Sequence, residues 1–475
     1  MESPSENGAH LSAPTVDSQA KDPSVFMLPP EILSLVCGFL SKRQLKRVRK
    51  VSKTWERAAV PYLFDEIYMS LNMADLRIAK LMILQFKQYI RTLIFSSACY
   101  TDMDRENFDK ALSYEGSDME TDSDIGYSEH SFKLYRIARK NQEENLKTGL
   151  VSAYLSFALT SCPNIRKIIL TDSPSSRSMS RKSLQVFEPR RSKICLLEGC
   201  VLEDNDHFPS AVRQSGFLRS GSHNPWRLIL QALSVTDSNV SELTMVPVNN
   251  ETMMDTSAFS MSPGELSQAK ICFHALTKFR LTFAWDREQF STDVDVRYIH
   301  RNVAKFLRRA VNLECLALIA LEEHESVAHQ SYPLHEVLGK CTFPKLKSLI
   351  IGYFEFTEVE LLSLLTHSKR IQQLTIECSI LKEGSWVRIV DWARASLPSL
   401  KNAQLNQLYG GFEDPWADTE YMDVYGHVGE FLFARGGNPF TVDALAKYHA
   451  DWDAGRTRID PCGGEIYTDI CDRYH

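Results

Sequence analysis

Phe343-Pro344-Lys345-Leu346-Lys347-Ser348-Leu349-Ile350-Ile351 carries two signals in nine residues. Pro344 cannot continue a helix and presets a turn. Leu346, Leu349 and Ile351 then follow an apolar-x-x-apolar-x-apolar register, the alternation of a short half-buried strand. Working outward, the register recurs at Ile90/Leu93/Phe95, Ile165/Ile168/Leu170, Val240/Leu243/Met245 and Leu276/Phe279/Leu281. It recurs again at Leu313/Leu316/Leu318, Ile371/Leu374/Ile376 and Leu400/Ala403/Leu405. Successive starts are 75, 75, 36, 37, 33, 25 and 29 residues apart. Cys162-Pro163-Asn164-Ile165 and Leu397-Pro398-Ser399-Leu400 place proline at the same position as Pro344. Helical patterns precede several copies: Leu150, Val151, Tyr154, Leu155, Ala158 and Leu159 share one face, Val303, Phe306, Leu307, Ala310 and Val311 another, and Val359, Leu362 and Leu365 a third. The predicted unit is helix, turn, strand, and its apolar positions are assigned to the core.

That unit resembles the repeat of leucine-rich-repeat solenoids. The resemblance covers about 90–405 and implies an irregular α/β array with long loop insertions, an open strand face and variable loops for binding. The asparagine that the family carries after its strand is missing, with Ser173, Leu321 and Phe354 at that offset. Each 75-residue gap is expected to hold a further repeat or a long loop.

Upstream lies a compact apolar block from Phe26 to Phe64. Pro30 suits the first position of a helix. Ile32, Leu35, Val36, Phe39 and Leu40 then fall on one helical face. Ser41 followed by Gln44 is a capping box for a second helix, continued by Leu45, Val48 and Val51. Ser52 caps a third, carrying Trp55, Ala58 and Ala59 and expected to stop at Pro61. Three helices this short bury little surface alone, so the block packs on the rest of the chain or docks onto a partner. Lys42, Arg43, Lys46, Arg47, Arg49, Lys50 and Lys53 read as a solvated basic face, or one steering toward an acidic partner. No aromatic stacking platform accompanies them, which argues against nucleic acid.

Leu28-Pro29-Pro30-Glu31-Ile32-Leu33, then Leu40, Leu45, Val48, Val51-Ser52-Lys53 and Trp55, resemble an F-box. Pro61-Tyr62-Leu63-Phe64-Asp65-Glu66-Ile67-Tyr68 is similar to the segment that follows it in filamentous-fungal members. Phe431-Leu432-Phe433-Ala434-Arg435-Gly436-Gly437-Asn438-Pro439-Phe440 resembles a segment found after the repeats of the same proteins, and is read as a cap over the end of the array. The resemblance implies docking onto the Skp-type adaptor of a cullin–RING ubiquitin ligase. The adaptor-contacting residues it implies are Leu28, Pro29, Pro30, Glu31, Ile32, Leu33, Leu40, Leu45, Val48, Val51 and Trp55. An apolar helical face with an aromatic anchor is what a protein-binding hot spot requires.

The remaining sequence narrows the classes. The chain has 475 residues, 44% hydrophobic and 24% charged, with a net charge of −6. That balance argues against a global role in binding phosphate backbones. The first 25 residues, polar and proline-bearing, are expected to be a disordered tail without a secretory signal. No stretch has the length of a membrane span, and eleven scattered cysteines without a CxxC pair suit reduced thiols in the cytoplasm, the nucleus or both. The expected organisation is a tail (1–25), the F-box (26–65), the repeat-like body (66–410) and the cap (411–475), with flexible insertions near 102–129, 172–193, 203–224 and 247–264.

Catalytic motifs are missing: the sequence has no phosphate-binding GxxxxGK, no GxGxxG and no GxSxG. His324-Glu325-Ser326-Val327-Ala328-His329 is one residue longer than a zinc HExxH, and residues five apart on a helix point about 140° apart. The acidic residues at 115–124 lack the ligand spacing of a calcium loop. No cofactor and no metal are expected. The expected function is a non-catalytic substrate-recognition subunit of an SCF-type ligase, with the adaptor, through it a cullin, and an unidentified protein substrate as partners. The alternative is a repeat scaffold outside any ligase, its helical block packed inward as a terminal cap.

Overall fold

A computed structural model of the chain describes residues 28–100, 102–114, 128–172, 213–214, 223–246, 254–285, 302–322 and 332–410, with Leu432 and Thr441. The tail, the acidic residues 115–124, the histidine pair at 324–329 and nearly all of the 172–193 insertion and of the cap lie outside the described residues.

Three helices come first: α1 (Pro30–Phe39), α2 (Lys42–Val48) and α3 (Lys53–Leu63). Ser41 and Gln44 form the expected capping box, and Ser52 Oγ accepts from Trp55 N–H at 3.3 Å. Each such cap is worth about 1 kcal/mol. α3 does not stop at Pro61 but runs to Leu63, closed by Phe64 N–H to Val60 O at 3.1 Å. The proline removes one hydrogen bond near the helix end, and the burial of Ala59 and Leu63 holds the last turn.

The body is mixed α/β around one large sheet. Its strands are β1 (Glu66–Met69), β2 (Thr92–Ser96), β4 (Lys167–Thr171), β6 (Glu242–Val246), β8 (Lys278–Trp285), β9 (Cys315–Glu322), β11 (Ser348–Gly352), β13 (Gln373–Glu383) and β14 (Asn402–Tyr409), parallel and neighbouring in chain order. Short strands β7 (Met254–Asp255), β10 (Tyr332–Pro333) and β12 (Phe354–Thr357) extend this 12-stranded sheet, while β3 (Cys99–Tyr100) pairs antiparallel with β5 (Arg213–Gln214). In all eight predicted registers the last two positions lie on a strand and the first stands in the turn two residues before it. In-register pairing aligns Leu93, Ile168, Leu243, Phe279, Leu316, Leu349, Leu374 and Ala403 in one row, and Ile67 begins it. β1 therefore opens the sheet directly after α3, with Phe64/Ile67/Met69 as a further copy of the register.

The backbone repeats a joint at each strand start. Asp65 O accepts from Arg91 and Thr92 N–H, Arg91 O from Arg166 and Lys167, Arg166 O from Ser241 and Glu242, and Ser241 O from Thr277 and Lys278. The series continues through Thr277 O, Glu314 O, Lys347 O and Gln372 O. The turn before the strand repeats as well: Leu346 N–H bonds Phe343 O, and Leu400 N–H bonds Leu397 O, both at 3.1 Å, with Pro344 and Pro398 inside those turns. Asn164, Asn239 and Asn312 stand in the same turn and donate to Gln88 O, Pro163 O and His274 O of the preceding unit.

The connecting helices are α4 (Met73–Phe86), α7 (Leu150–Ser161), α8 (Pro225–Ser234), α9 (Pro263–Phe273), α10 (302–307), α11 (Leu334–Leu338), α12 (Glu358–Thr366) and α13 (Trp386–Ser396). Their apolar faces and one face of the sheet form a continuous core from Ile67 to Leu408.

The wide gaps add no rung, because β2 pairs β4 directly and β4 pairs β6. The first holds helices instead. Within the expected acidic loop 102–129, α5 (Arg105–Tyr114) is helical and α6 (Ser128–Lys147) begins. Counting acidic side chains missed Phe108, which is buried against Tyr100, Tyr135 and Ala138, and Asp104, whose Oδ1 accepts from Asn107 N–H at 2.8 Å at the helix start. The expected loop at 247–264 holds β7, a 3-10 turn (Thr256–Phe259) and the start of α9, anchored by buried Phe259 and the Ser262–Glu265 capping box. In the expected loop 203–224, β5 pairs β3 and Asn224 caps α8.

Candidate docking surface on the N-terminal helices

The three N-terminal helices have a core of their own. Cys37, Leu45, Ala59 and Leu63 are buried together, with Leu40, Trp55, Ala58, Tyr62 and Phe64 packed around them. Ser34 and Tyr62 hydroxyls meet at 3.1 Å across α1 and α3. Closing this core turns one side of α1 inward through Leu33 and Cys37 and leaves the other side bare. Ile32, Leu35, Val36 and Phe39 occur at helical spacing on that bare side, Leu35 57% and Phe39 86% exposed. Leu28 precedes them and Val51 follows, both exposed.

The predicted contact residues divide accordingly. Leu28, Pro29, Pro30, Glu31, Ile32 and Val51 are exposed. Leu33 and Leu45 point inward, 4% and 1% exposed, so they hold the module together and are not available to a partner. Leu40, Val48 and Trp55 are half-buried, and Trp55 packs in the module core. Leu35, Val36 and Phe39, marked by the same periodicity, are exposed beside Ile32 and lie outside the contacts that the resemblance implies.

The basic face also divides. Arg43, Arg47, Lys50 and Lys53 are solvated. Lys42 is not: it is buried and ion-paired to Asp65 and, at 3.7 Å, to Glu66. Burial raises the Glu66 carboxyl above the usual range, and Lys42 opposes that rise.

The open face of the sheet is the second expected binding surface. Along β1, Ile67 and Met69 enter the main core and Tyr68 points the other way. There Tyr68, Ile94 and Val246 form a separate buried cluster with Ile169 packed against it. The first strands of this face are therefore covered, contrary to the free strand face expected.

Residues 26–70 match the family model described as F-box-like. The N-terminal module is an F-box-like domain. The match runs past the three helices and reaches β1, whose Ile67 and Met69 belong to the core under the sheet. No curated protein matches the chain. Among the described residues, no group of three His, Cys, Asp or Glu side chains is placed to hold a metal ion, and no helix is long and apolar enough to cross a membrane.

Proposed function

We propose that the chain is a substrate-recognition subunit of an SCF-type cullin–RING ubiquitin ligase. The F-box-like domain docks onto a Skp-type adaptor, and the body holds a protein to be ubiquitinated. The observation that carries this reading is the bare face of α1, formed by Ile32, Leu35, Val36 and Phe39 on a module whose own core is already closed. Burying each such side chain in a partner contributes about 1.5–3 kcal/mol. A module serving as an inward cap would turn that face toward the sheet, so the outward face favours docking over the scaffold alternative. The chain performs no bond chemistry in this role; it raises the local concentration of substrate lysines beside a charged ubiquitin carrier.

The body is a leucine-rich-repeat-like array in this reading, supported by the repeated carbonyl joints and the asparagines of the turns. That face is buried at the later strands as well, through Ala317, Ile319, Ile350 and Thr375, so in this reading substrate is directed to the loops. The protein works in the cytoplasm, the nucleus or both. Its fungal affinity rests on the sequences at 61–68 and 431–440 alone.

The test is recovery of the adaptor with the full-length chain. Leu35→Ala/Phe39→Ala removes two exposed side chains and leaves the module core intact. Adaptor recovery is expected to fall at least tenfold with the far-ultraviolet spectrum unchanged. Equal recovery by variant and wild type, or none by either, defeats the proposal.

A further inference from the structure

Two separate cores meet at a narrow joint. The module core centred on Cys37, Leu45, Ala59 and Leu63 is distinct from the core under the sheet. Between them the chain passes from α3 through Phe64 and Asp65 straight into β1. A joint of that kind would ordinarily swing. Here it is closed on both sides. Phe64 stacks on Phe86 at the end of α4, centroids 3.8 Å apart and rings 8° from parallel. On the other side stands Lys42, the first residue of α2, its side chain only 11% exposed. It reaches the carboxylates of Asp65 and Glu66.

Asp65 is also the first of the repeated joints, its carbonyl accepting from Arg91 at 2.7 Å and Thr92 at 3.0 Å. One residue therefore receives the docking module through its side chain and the second rung through its backbone. We propose that Lys42 is a positioning residue: it locks the F-box-like domain to the first rungs, so that the docking face of α1 and the sheet move as one body. The benefit of a fixed orientation rests on the proposed ligase role; the lock itself does not. In that role it would present substrate at a set angle to the ubiquitin carrier, which restricts the lysines within reach.

The chemistry singles out this lysine among its neighbours. Arg43, Arg47 and Lys50 of the same helical stretch are exposed and could contribute little through solvent-screened pairs. Removing Lys42 would strand two carboxylates, one of them largely desolvated, which makes the closed joint unfavourable and frees the hinge. Lys167, two strands away, also acts on Glu66, but Lys42 is the larger of the two opposing charges there.

The experiment measures the hinge directly. Spin labels carried by an encoded amino acid replace exposed Arg47 on α2 and exposed Gln268 on α9 in the full-length chain. Pulsed-dipolar distance distributions are recorded without adaptor. The wild type should give one narrow distribution, Lys42→Met one at least twice as broad, and Lys42→Arg the narrow one again. A wild type as broad as Lys42→Met, or a Lys42→Met distribution as narrow as wild type, overturns the proposal. If Lys42→Met does not fold, the exchanged pair Lys42→Asp/Asp65→Lys replaces it. That pair should restore a narrow distribution where Asp65→Lys alone broadens it, and equal widths for the two overturn the proposal. The readout needs no adaptor, so failure of adaptor recovery would end the ligase reading and leave the lock standing, and the reverse also holds.

Discussion

Asp75 in the first turn of α4 is 5% exposed, and its carboxyl accepts from Ser70 Oγ at 2.5 Å. Burial raises its pKa, and hydrogen bonds from Ser70 and Asn72 oppose the rise without cancelling it. The native state therefore holds the proton more tightly than the unfolded chain does. Stability from this residue is complete below the ordinary carboxylate value of about 3.9 and is lost as pH rises through the raised native value. Asp75→Asn removes that loss. Urea midpoints should shift in favour of the variant as pH climbs from 3.5 to 6, and a pH-independent difference would refute the assignment. Burial acts in the same direction on thiols, lifting Cys162 and Cys272 to about 11 and Cys341 to about 12. Thiolate is the reactive form. Iodoacetamide at pH 8 should modify these three at least a hundredfold more slowly in the native protein than in urea, read by mass spectrometry. Comparable rates in both conditions would show them accessible. The burial of Cys162 and Cys341 was legible in their spacing, since both stand in the turns before repeat strands; Lys42 was not legible, because in sequence it is one cation among seven.

At the scale of elements, strands were the most legible and long interruptions the least. A period-two register survives any tertiary context, since its apolar positions must reach one core. The copy at Phe64/Ile67/Met69 was obscured because those residues also continue the helical module. α5 was obscured because its first turns are mostly polar, and among its described side chains the buried aromatic is Phe108. The turn between β13 and α13 depends on a feature no periodicity marks. Gly384 has φ +115°, and a Cβ there would lie 2.3 Å from Cβ of Glu358. Glu358 cannot retreat freely: it accepts from Ser385 N–H at 2.8 Å and from Arg388 at 2.8 Å, and hydrogen bonding by Arg388 leads the lowering of its pKa. Gly384→Ala combines left-handed backbone strain of about 1–3 kcal/mol with that overlap. It should lower the urea midpoint and speed amide exchange in the first turn of α13. Stability within about 0.5 kcal/mol of wild type would mean that the turn relaxes around the added methyl.

Along the nine main strands, spatial order equals chain order, so each rung of the main ladder pairs only with the rungs beside it. Stability in such an array is nearly a sum of local terms and neighbour couplings. Leu316 stands near the middle of the aligned row, 1% exposed between Phe279 and Leu349. Leu316→Ala should cost about 2–5 kcal/mol through lost contact and the cavity left behind. The location of the loss distinguishes this architecture from a globule with one indivisible core. Hydrogen exchange should accelerate most in β8, β9 and β11 and progressively less toward β1 and β14. Leu45→Ala, in the separate core of the docking module, should loosen α1, α2 and α3 and leave β9 through β14 protected. Uniform acceleration in both variants would mean that the module and every rung unfold as a single unit. It would also mean that the wide insertions couple distant rungs, a coupling that direct pairing of β2 with β4 and of β4 with β6 argues against.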